Sequence, residues 1–324
     1  MKHLGISGGG TKIVGLFGVA ESIVFERNYK PDIISGISAG AILSVPLALG
    51  KRKEIKELVL NLNLKAFFNV APVKNNGKIK IWNAIIKIVI GKHYLGEQYN
   101  LEKILSKVVT EEDFNKYKED EKYAICIVGS VDFYTGKRFY VNLKDVSYEN
   151  FLHFVNASSS IPIFTPGIAF NSLIKDFEGN TSTFDKVLLF DGGVRDHSPS
   201  HKILSSDKYK NKITETCTIF SRPDNLTDII DPKSFKPQNL LKILEKYIEI
   251  ANAEVSKNDE FQEKDIIKKQ NIFNHGTFYL PKVMEGIYDV NKERLKKLYE
   301  LSKKLVNDDT WKNVDNQIDD SASK

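Results

Sequence analysis

Cysteine is scarce in this chain, and no apolar run is long enough to cross a bilayer. The two cysteines, Cys126 and Cys217, each lie inside an apolar strand-like segment. They read as buried thiols of a reducing compartment, with a disulfide between them left open. The longest apolar run, 79–90, is broken by Lys80, Asn83 and Lys87, well short of a membrane span. The stretch from Met1 to Ser7 is too short, and meets glycine too soon, to read as a secretory signal. Internal repeats are missing too. Charge of one sign is in short supply: 47 basic residues face 42 acidic ones, a net of +5. That gives no polycationic surface and no reason to invoke nucleic acid. These absences lead to the expectation of a cytoplasmic protein, at most peripheral to a membrane.

At 324 residues and 41% hydrophobic, the chain can bury one large core. Leu4 and Ile6 mark a short buried strand that runs into Gly8-Gly9-Gly10, and nearly unbroken apolar sequence then predicts a buried helix over 11–27. Ile33 and Ile34 mark a second strand, which ends in Gly36-Ile37-Ser38-Ala39-Gly40. A helix should follow over 39–49, kinked at Pro46 and stopped by Gly50. Strand, glycine turn, helix, strand, sharp turn, helix is the order of a parallel α/β unit, whose loops at the carboxyl ends of the strands share one crevice. Further strands are expected over 123–131, 186–190, 213–220 and 278–280, with a hairpin turn at Tyr134-Thr135-Gly136-Lys137. Further helices are expected over 51–68, 78–92, 101–109, 150–156, 239–257 and 291–306, and 111–122 reads as a solvated charged run. The organisation expected is a catalytic core over 1–205, an α-rich continuation of the same domain over 206–306, and a disordered acidic tail over 307–324.

Gly-x-Ser-x-Gly after a strand is the pattern of a nucleophile elbow, with Gly36 and Gly40 sparing a tight turn the collisions of a Cβ. A serine hydroxyl attacks a carbonyl only when a base takes its proton and donors hold the oxyanion. Gly8, Gly9 and Gly10 can present backbone N–H groups at a strand end, and the helix after them adds a positive dipole. For the base, Asp191 stands at the end of an apolar strand and is followed by Gly192 and Gly193. An ordinary aspartate is a weak base for a hydroxyl, so Asp191 would depend on desolvation. A histidine is the commoner partner, and His197, His201 and His275 are available. In the α/β-hydrolase order, however, the elbow follows several strands, with the acid and histidine after it; here it follows the second. The glycine run lacks the Gly-Lys-Ser/Thr ending of a phosphate loop and the third glycine of a dinucleotide site. No metal and no cofactor are expected. Lys12 is placed to support an oxyanion or to meet a lipid phosphate. Arg195 and Asp196 read as a surface ion pair or a support for the loop, and His197 as structural. Over 78–92, Trp82 and Ile86 share an apolar side ringed by lysines, which reads either as a core-packed helix or as an interfacial one for anionic lipid.

Taken together, Gly8-Gly9-Gly10-Thr11-Lys12, Gly36-Ile37-Ser38-Ala39-Gly40 and Asp191-Gly192-Gly193 resemble the three signatures of the patatin-like phospholipase family, in the same order and rough separation. The block Ala157-Ser158-Ser159-Ser160-Ile161-Pro162 and the hairpin Asp132-Phe133-Tyr134-Thr135-Gly136 add to the resemblance, which covers about residues 2–200. It implies a three-layer α/β/α sandwich with a mostly parallel central sheet. The implied activity is hydrolysis of acyl esters of glycerolipids, phospholipids among them. The implied machinery is a Ser/Asp dyad without histidine or metal: Ser38 as nucleophile, Asp191 as base, Gly9 and Gly10 as oxyanion donors. One departure stands out, Ile13 where the family usually has glycine after the basic residue, which alters how closely that turn packs on the site. Two other functions fit the same residues, an acyltransferase using the dyad and a catalytically weak scaffold that binds lipid or a protein partner.

Overall fold

The computed structural model describes residues 1–71, 80, 86–87, 90–96, 100–182, 186–224, 240–272, 274–284 and 288–315. In chain order the elements that matter here are β1 (Lys2–Ile6), α1 (Ile13–Glu21), β2 (Ile33–Ile37), α2 (Ala39–Ala48), β3 (Ile125–Asp132), β4 (Arg138–Asn142), α3 (Tyr148–Ser158), β5 (Ile168–Phe170), β6 (Val187–Asp191), α4 (Ser200–Ser205), β7 (Glu215–Phe220), α5 (Leu240–Lys269), β8 (Asn274–Tyr279) and α6 (Lys292–Lys303). They build one mixed sheet of eight strands. Hydrogen-bonded neighbours run β5-β6-β3-β2-β1-β7-β8, with β4 also on β3. The block β3-β2-β1-β7-β8 is parallel, and β4, β6 and β5 are antiparallel additions. The expected α/β architecture with a mostly parallel sheet flanked by helices is therefore the one observed.

Sequence pattern explains the layering. All five residues of β2 are buried, as are the last four of β1, which is what central strands covered on both faces require. α1 and α2 are buried along nearly their whole length, so they lie under other helices rather than at the surface. α6 covers α1 closely because Gly15 and Gly18 leave room: a Cβ on Gly15 would come within 2.9 Å of Leu298 and Ser302. The main core runs from Leu4 through Phe17, Val45 and Phe151 to Leu298. A separate small cluster of Leu64, Phe68, Leu95, Phe164, Tyr288 and Val290 gathers segments distant in sequence.

Several local expectations change. The charged run 111–122 contains a helix, Glu111–Glu119, because Thr110 and Asp113 form a capping box and Phe114 and Tyr117 bury one face. The segment 51–68 divides into Arg52–Leu60 and Leu64–Phe67. α5 runs to Lys269, well beyond the expected end at residue 257, because Asp259, Glu263 and Ile267 keep a buried face toward the core. In the acidic tail, Asp308–Asp315 is helical, with Trp311 edge-on to Tyr29 and Asp308 paired with Arg27 at 2.6 Å. Cys126 and Cys217 are buried and form no disulfide; burial pushes the Cys126 thiol up to about 12. Among the described residues no helix is long and apolar enough to cross a membrane.

Candidate active site

Strand register brings the two halves of the site together. On β3, Gly129 pairs with Ile37 of β2, and the next residue, Ser130, pairs with Asp191 of β6. β4 occupies one edge of β3 over residues 127–131. β6 must therefore use the edge that β2 occupies, taking over where β2 stops. Ser38, the residue after Ile37, thus leaves the sheet where Asp191 reaches it.

Ser38 sits at φ 53° and ψ −114°, a conformation that a residue with a Cβ rarely adopts. The turn closes so tightly that a Cβ on Gly36 would lie 2.3 Å from the Gly40 carbonyl carbon, and one on Gly40 would lie 2.1 Å from the Ile6 carbonyl oxygen. These contacts are with backbone, which cannot swing aside, so both glycines are obligatory for the turn. The serine block of residues 158–160 holds it in place. Ser158 Oγ donates to the Gly129 carbonyl at 2.6 Å and accepts the Ser38 N–H at 2.9 Å, while Ser159 Oγ donates to the Ser38 carbonyl at 3.3 Å. The Ser160 carbonyl accepts the Asp191 N–H at 2.9 Å. One helix end therefore braces both sides of the site. The block was visible in sequence; its bracing role was not, because it depends on the register of β3.

Asp191 is 5% exposed. Burial raises its carboxyl pKa to about 6, against the opposing effect of the nearby Ser38 hydroxyl and of a hydrogen bond from the Gly193 N–H at 2.7 Å. The result is a carboxylate of raised basicity beside a strained serine. Gly192 is needed there as well, since a Cβ on it would lie 2.7 Å from the Gly129 carbonyl oxygen.

Of the three turn glycines, Gly8 is not placed as expected. Its N–H donates to the His197 carbonyl at 2.9 Å, so it holds the turn rather than presenting a donor. Gly9 and Gly10 have no such bond from their N–H groups among the described residues, and Gly10 lines the same cleft as Ser38. Ile13 begins α1 with its side chain buried in the main core, so the departure from glycine is absorbed by packing away from that cleft. Lys12 closes the turn after Gly10 with its N–H on the Gly9 carbonyl at 3.0 Å. Its charge, with that of Arg222, adds to the effect of burial in holding His197 neutral, at about 3.

The cleft is lined by Gly10, Thr11, Ser38, Ile42, Phe68 and Tyr288 among others, with about 350 Å³ of space that opens to solvent. Its walls are largely apolar. Ile86 is 56% exposed, and Trp82 lies outside the described residues, as does most of the helix expected over 78–92.

Behind Asp191, three buried groups that sequence spacing does not connect come together. Asp196, His201 and Asp259 have ligand-type atoms within 4.8 Å of one another. The two imidazole nitrogens face different carboxylates, Nε2 toward Asp196 at 3.7 Å and Nδ1 toward Asp259 at 3.9 Å, and one ion cannot bind both nitrogens of a ring. Arg138 Nε already supplies a cation to Asp196 at 2.7 Å. The cluster thus fits a brace better than a metal centre. Asp259 Oδ2 accepts the N–H of Ser198 at 2.9 Å and also that of His197, which fixes the loop whose carbonyl holds Gly8. Asp196 is therefore a buried partner of Arg138 and of the Tyr140 hydroxyl, not of Arg195, which donates to the Gly136 carbonyl at 2.9 Å. His275, on β8, is hydrogen-bonded locally to the Ile272 carbonyl.

A strained serine at a strand end, beside a buried carboxylate and a glycine turn, defines an α/β protein with a sharp, elbow-like turn at Ser38. Residues 4–202 match the model of the patatin-like phospholipase family, and the chain belongs to that family. It is similar, at 25% identity, to an uncharacterized protein of Acanthamoeba polyphaga mimivirus, with 78% of this chain and 80% of that protein covered. Among solved structures it is similar to VipD from Legionella pneumophila, with a TM-score of 0.45 and 15% identity. That similarity covers 94% of this chain and 66% of the other, so this chain spans slightly less than two thirds of VipD.

Proposed function

We propose that this protein is a serine acyl hydrolase that cleaves fatty acyl esters of glycerolipids, phospholipids among them, through Ser38 and Asp191. The observation that carries this reading is a serine at positive φ set beside a buried carboxyl whose pKa is raised to about 6. Asp191 takes the proton as Ser38 Oγ attacks the ester carbonyl, and Gly9 and Gly10 N–H groups hold the oxyanion. The same proton then goes to the departing alkoxide, and water releases the acyl group in the mirror sequence. The apolar cleft suits an acyl chain, and none of the described residues that line it beside Ser38 is a histidine, which fits a two-residue mechanism. Exposed Ile86 supports peripheral contact with a lipid surface.

A fluorophosphonate probe tests the reading directly. Wild type should be labelled at Ser38 and should deplete phospholipids from a mixed-lipid extract, whereas Ser38→Ala should do neither while keeping its fold by circular dichroism. Labelling with depletion only when an alcohol acceptor is added would indicate acyl transfer instead. A folded but unlabelled wild type would overturn the reading in favour of a binding scaffold.

A further inference from the structure

Tyr288 lies well outside the family match at residues 4–202, yet it lines the same cleft as Ser38. The ring is held edge-on by Phe68 at 5.1 Å and by Phe164 at 5.6 Å. The next residue, Asp289, is fully buried; it accepts Arg294 Nε at 2.6 Å and the Asn291 N–H at 3.0 Å. Asn291 in turn caps α6, which packs on α1. The C-terminal part of the chain thus places one tyrosine, with little freedom, against the site.

The hydroxyl at its tip is the anomaly. Tyr288 is 8% exposed, and its Oη has no hydrogen-bond partner among the described residues. A phenylalanine would fill the same ring space without burying an unpaired O–H, which is unfavourable. Burial and then the nearby charge of Asp191 hold the phenol far above its usual range, so it stays protonated and keeps an O–H to donate. Asp191 is thus close enough for its charge to be felt at the phenol. In ester cleavage the bond from the carbonyl carbon to Ser38 Oγ forms, the bond to the ester's alkoxy oxygen breaks, and the proton taken by Asp191 is delivered to that oxygen. The leaving alcohol must therefore pass beside Asp191.

We propose that Tyr288 is a substrate-contacting residue whose O–H donates a hydrogen bond to the leaving alkoxy oxygen of a glycerolipid ester. This rests on the Ser38/Asp191 reading and extends it. The contact stabilises negative charge as the C–O bond breaks, so its worth grows with the basicity of the leaving group. A glycerol alkoxide needs it; a p-nitrophenolate leaves readily without it.

The test is Tyr288→Phe measured against wild type, with phosphatidylcholine in mixed micelles and p-nitrophenyl butyrate as paired substrates, alongside fluorophosphonate labelling and thermal melting. Expected are a loss of about fivefold to tenfold in kcat/KM on phosphatidylcholine, carried by kcat, and less than a twofold change on the p-nitrophenyl ester. Labelling of Ser38 should be unchanged, and the melting temperature equal to wild type or higher. Equal losses on both substrates, a lowered melting temperature, or undiminished phosphatidylcholine hydrolysis would overturn the role of Tyr288, while intact labelling kept the dyad reading standing. A wild type that the probe does not label at Ser38 would remove both.

Discussion

Asp191 and Asp196 lie on one short loop and are buried to similar depth, at 5% and 1% exposure, yet their surroundings are opposite. Asp191 has the Gly193 N–H and the nearby Ser38 hydroxyl, with no cation paired to it among the described residues, and its pKa rises to about 6. Asp196 has the guanidinium of Arg138, the hydroxyl of Tyr140 and the edge of His201 around it. A carboxylate that is to accept a proton must be left under-compensated, because every cation or donor given to it lowers its basicity. One that is to hold a loop must be compensated, because an unpaired buried charge costs several kcal/mol. On the proposed reading, the same residue type serves chemistry at one end of the loop and architecture at the other.

Exchange of each carboxyl for an amide should separate the two roles. Asp191→Asn should lower phospholipid hydrolysis by about 1,000-fold or more, with no loss of melting temperature, since a desolvated charge has been removed. The pH profile sharpens this. The base works only when ionised, so wild-type kcat/KM should rise with pH through about 6, where Asp191 titrates. Asp196→Asn should behave in the reverse way. It should keep that rise near pH 6 but lose about 2 kcal/mol of stability in urea titration, less than a fully buried pair because Arg138 is 37% exposed. If Asp196→Asn abolished the pH limb while Asp191→Asn only destabilised, the assignment of roles would be reversed.

A finer version of the contrast lies in Ser158, which touches no carboxylate but fixes the backbone of Ser38 from the Gly129 carbonyl. Ser158→Ala leaves the Ser38 N–H unpaired and the elbow free to relax, and misplacing a nucleophile slightly is costly. A loss of about tenfold in labelling rate by the fluorophosphonate, with the fold intact, is expected. An unchanged rate would mean that the glycines alone define the turn.

How much of this was readable beforehand follows from what each feature depends on. The elbow, the glycine turn and Asp191-Gly192-Gly193 are local: each combines a strand end with a backbone demand that only certain residues meet, so sequence order alone brought them to notice. The first two strands and their helices were legible for the same reason, as unbroken apolar runs between glycines. The loss of Gly8 as a donor was not legible, because its N–H is claimed by the carbonyl of His197, nearly the whole family region away. Asp259 and Glu263 lie beyond the helix expected over 239–257, and only the packing of α5 over the loop buries them. Tyr288 carries no local signal whatever, since its meaning lies in an unpartnered hydroxyl and in the cleft it lines.

The smallest expected effect probes the architectural side of the comparison at a residue with no part in chemistry. Glu263 is 3% exposed; its Oε1 accepts the Thr218 hydroxyl, and its Oε2 has no hydrogen-bond partner among the described residues. Burial raises its pKa to about 8 from an ordinary 4.5. A carboxyl with a raised folded-state pKa favours folding in its protonated form. That contribution is complete below the unfolded value and is lost as pH rises toward the folded one. Between about pH 4.5 and 8 the wild type should therefore become progressively less stable from this group. Glu263→Gln mimics the protonated acid at every pH, so its melting temperature should match wild type near pH 4.5 and exceed it by about 2 °C or more at pH 8.5. A constant difference across that range would mean that Glu263 is ionised in the folded protein at all these pH values, and that α5 tolerates a bare charge where Asp196 needs a partner.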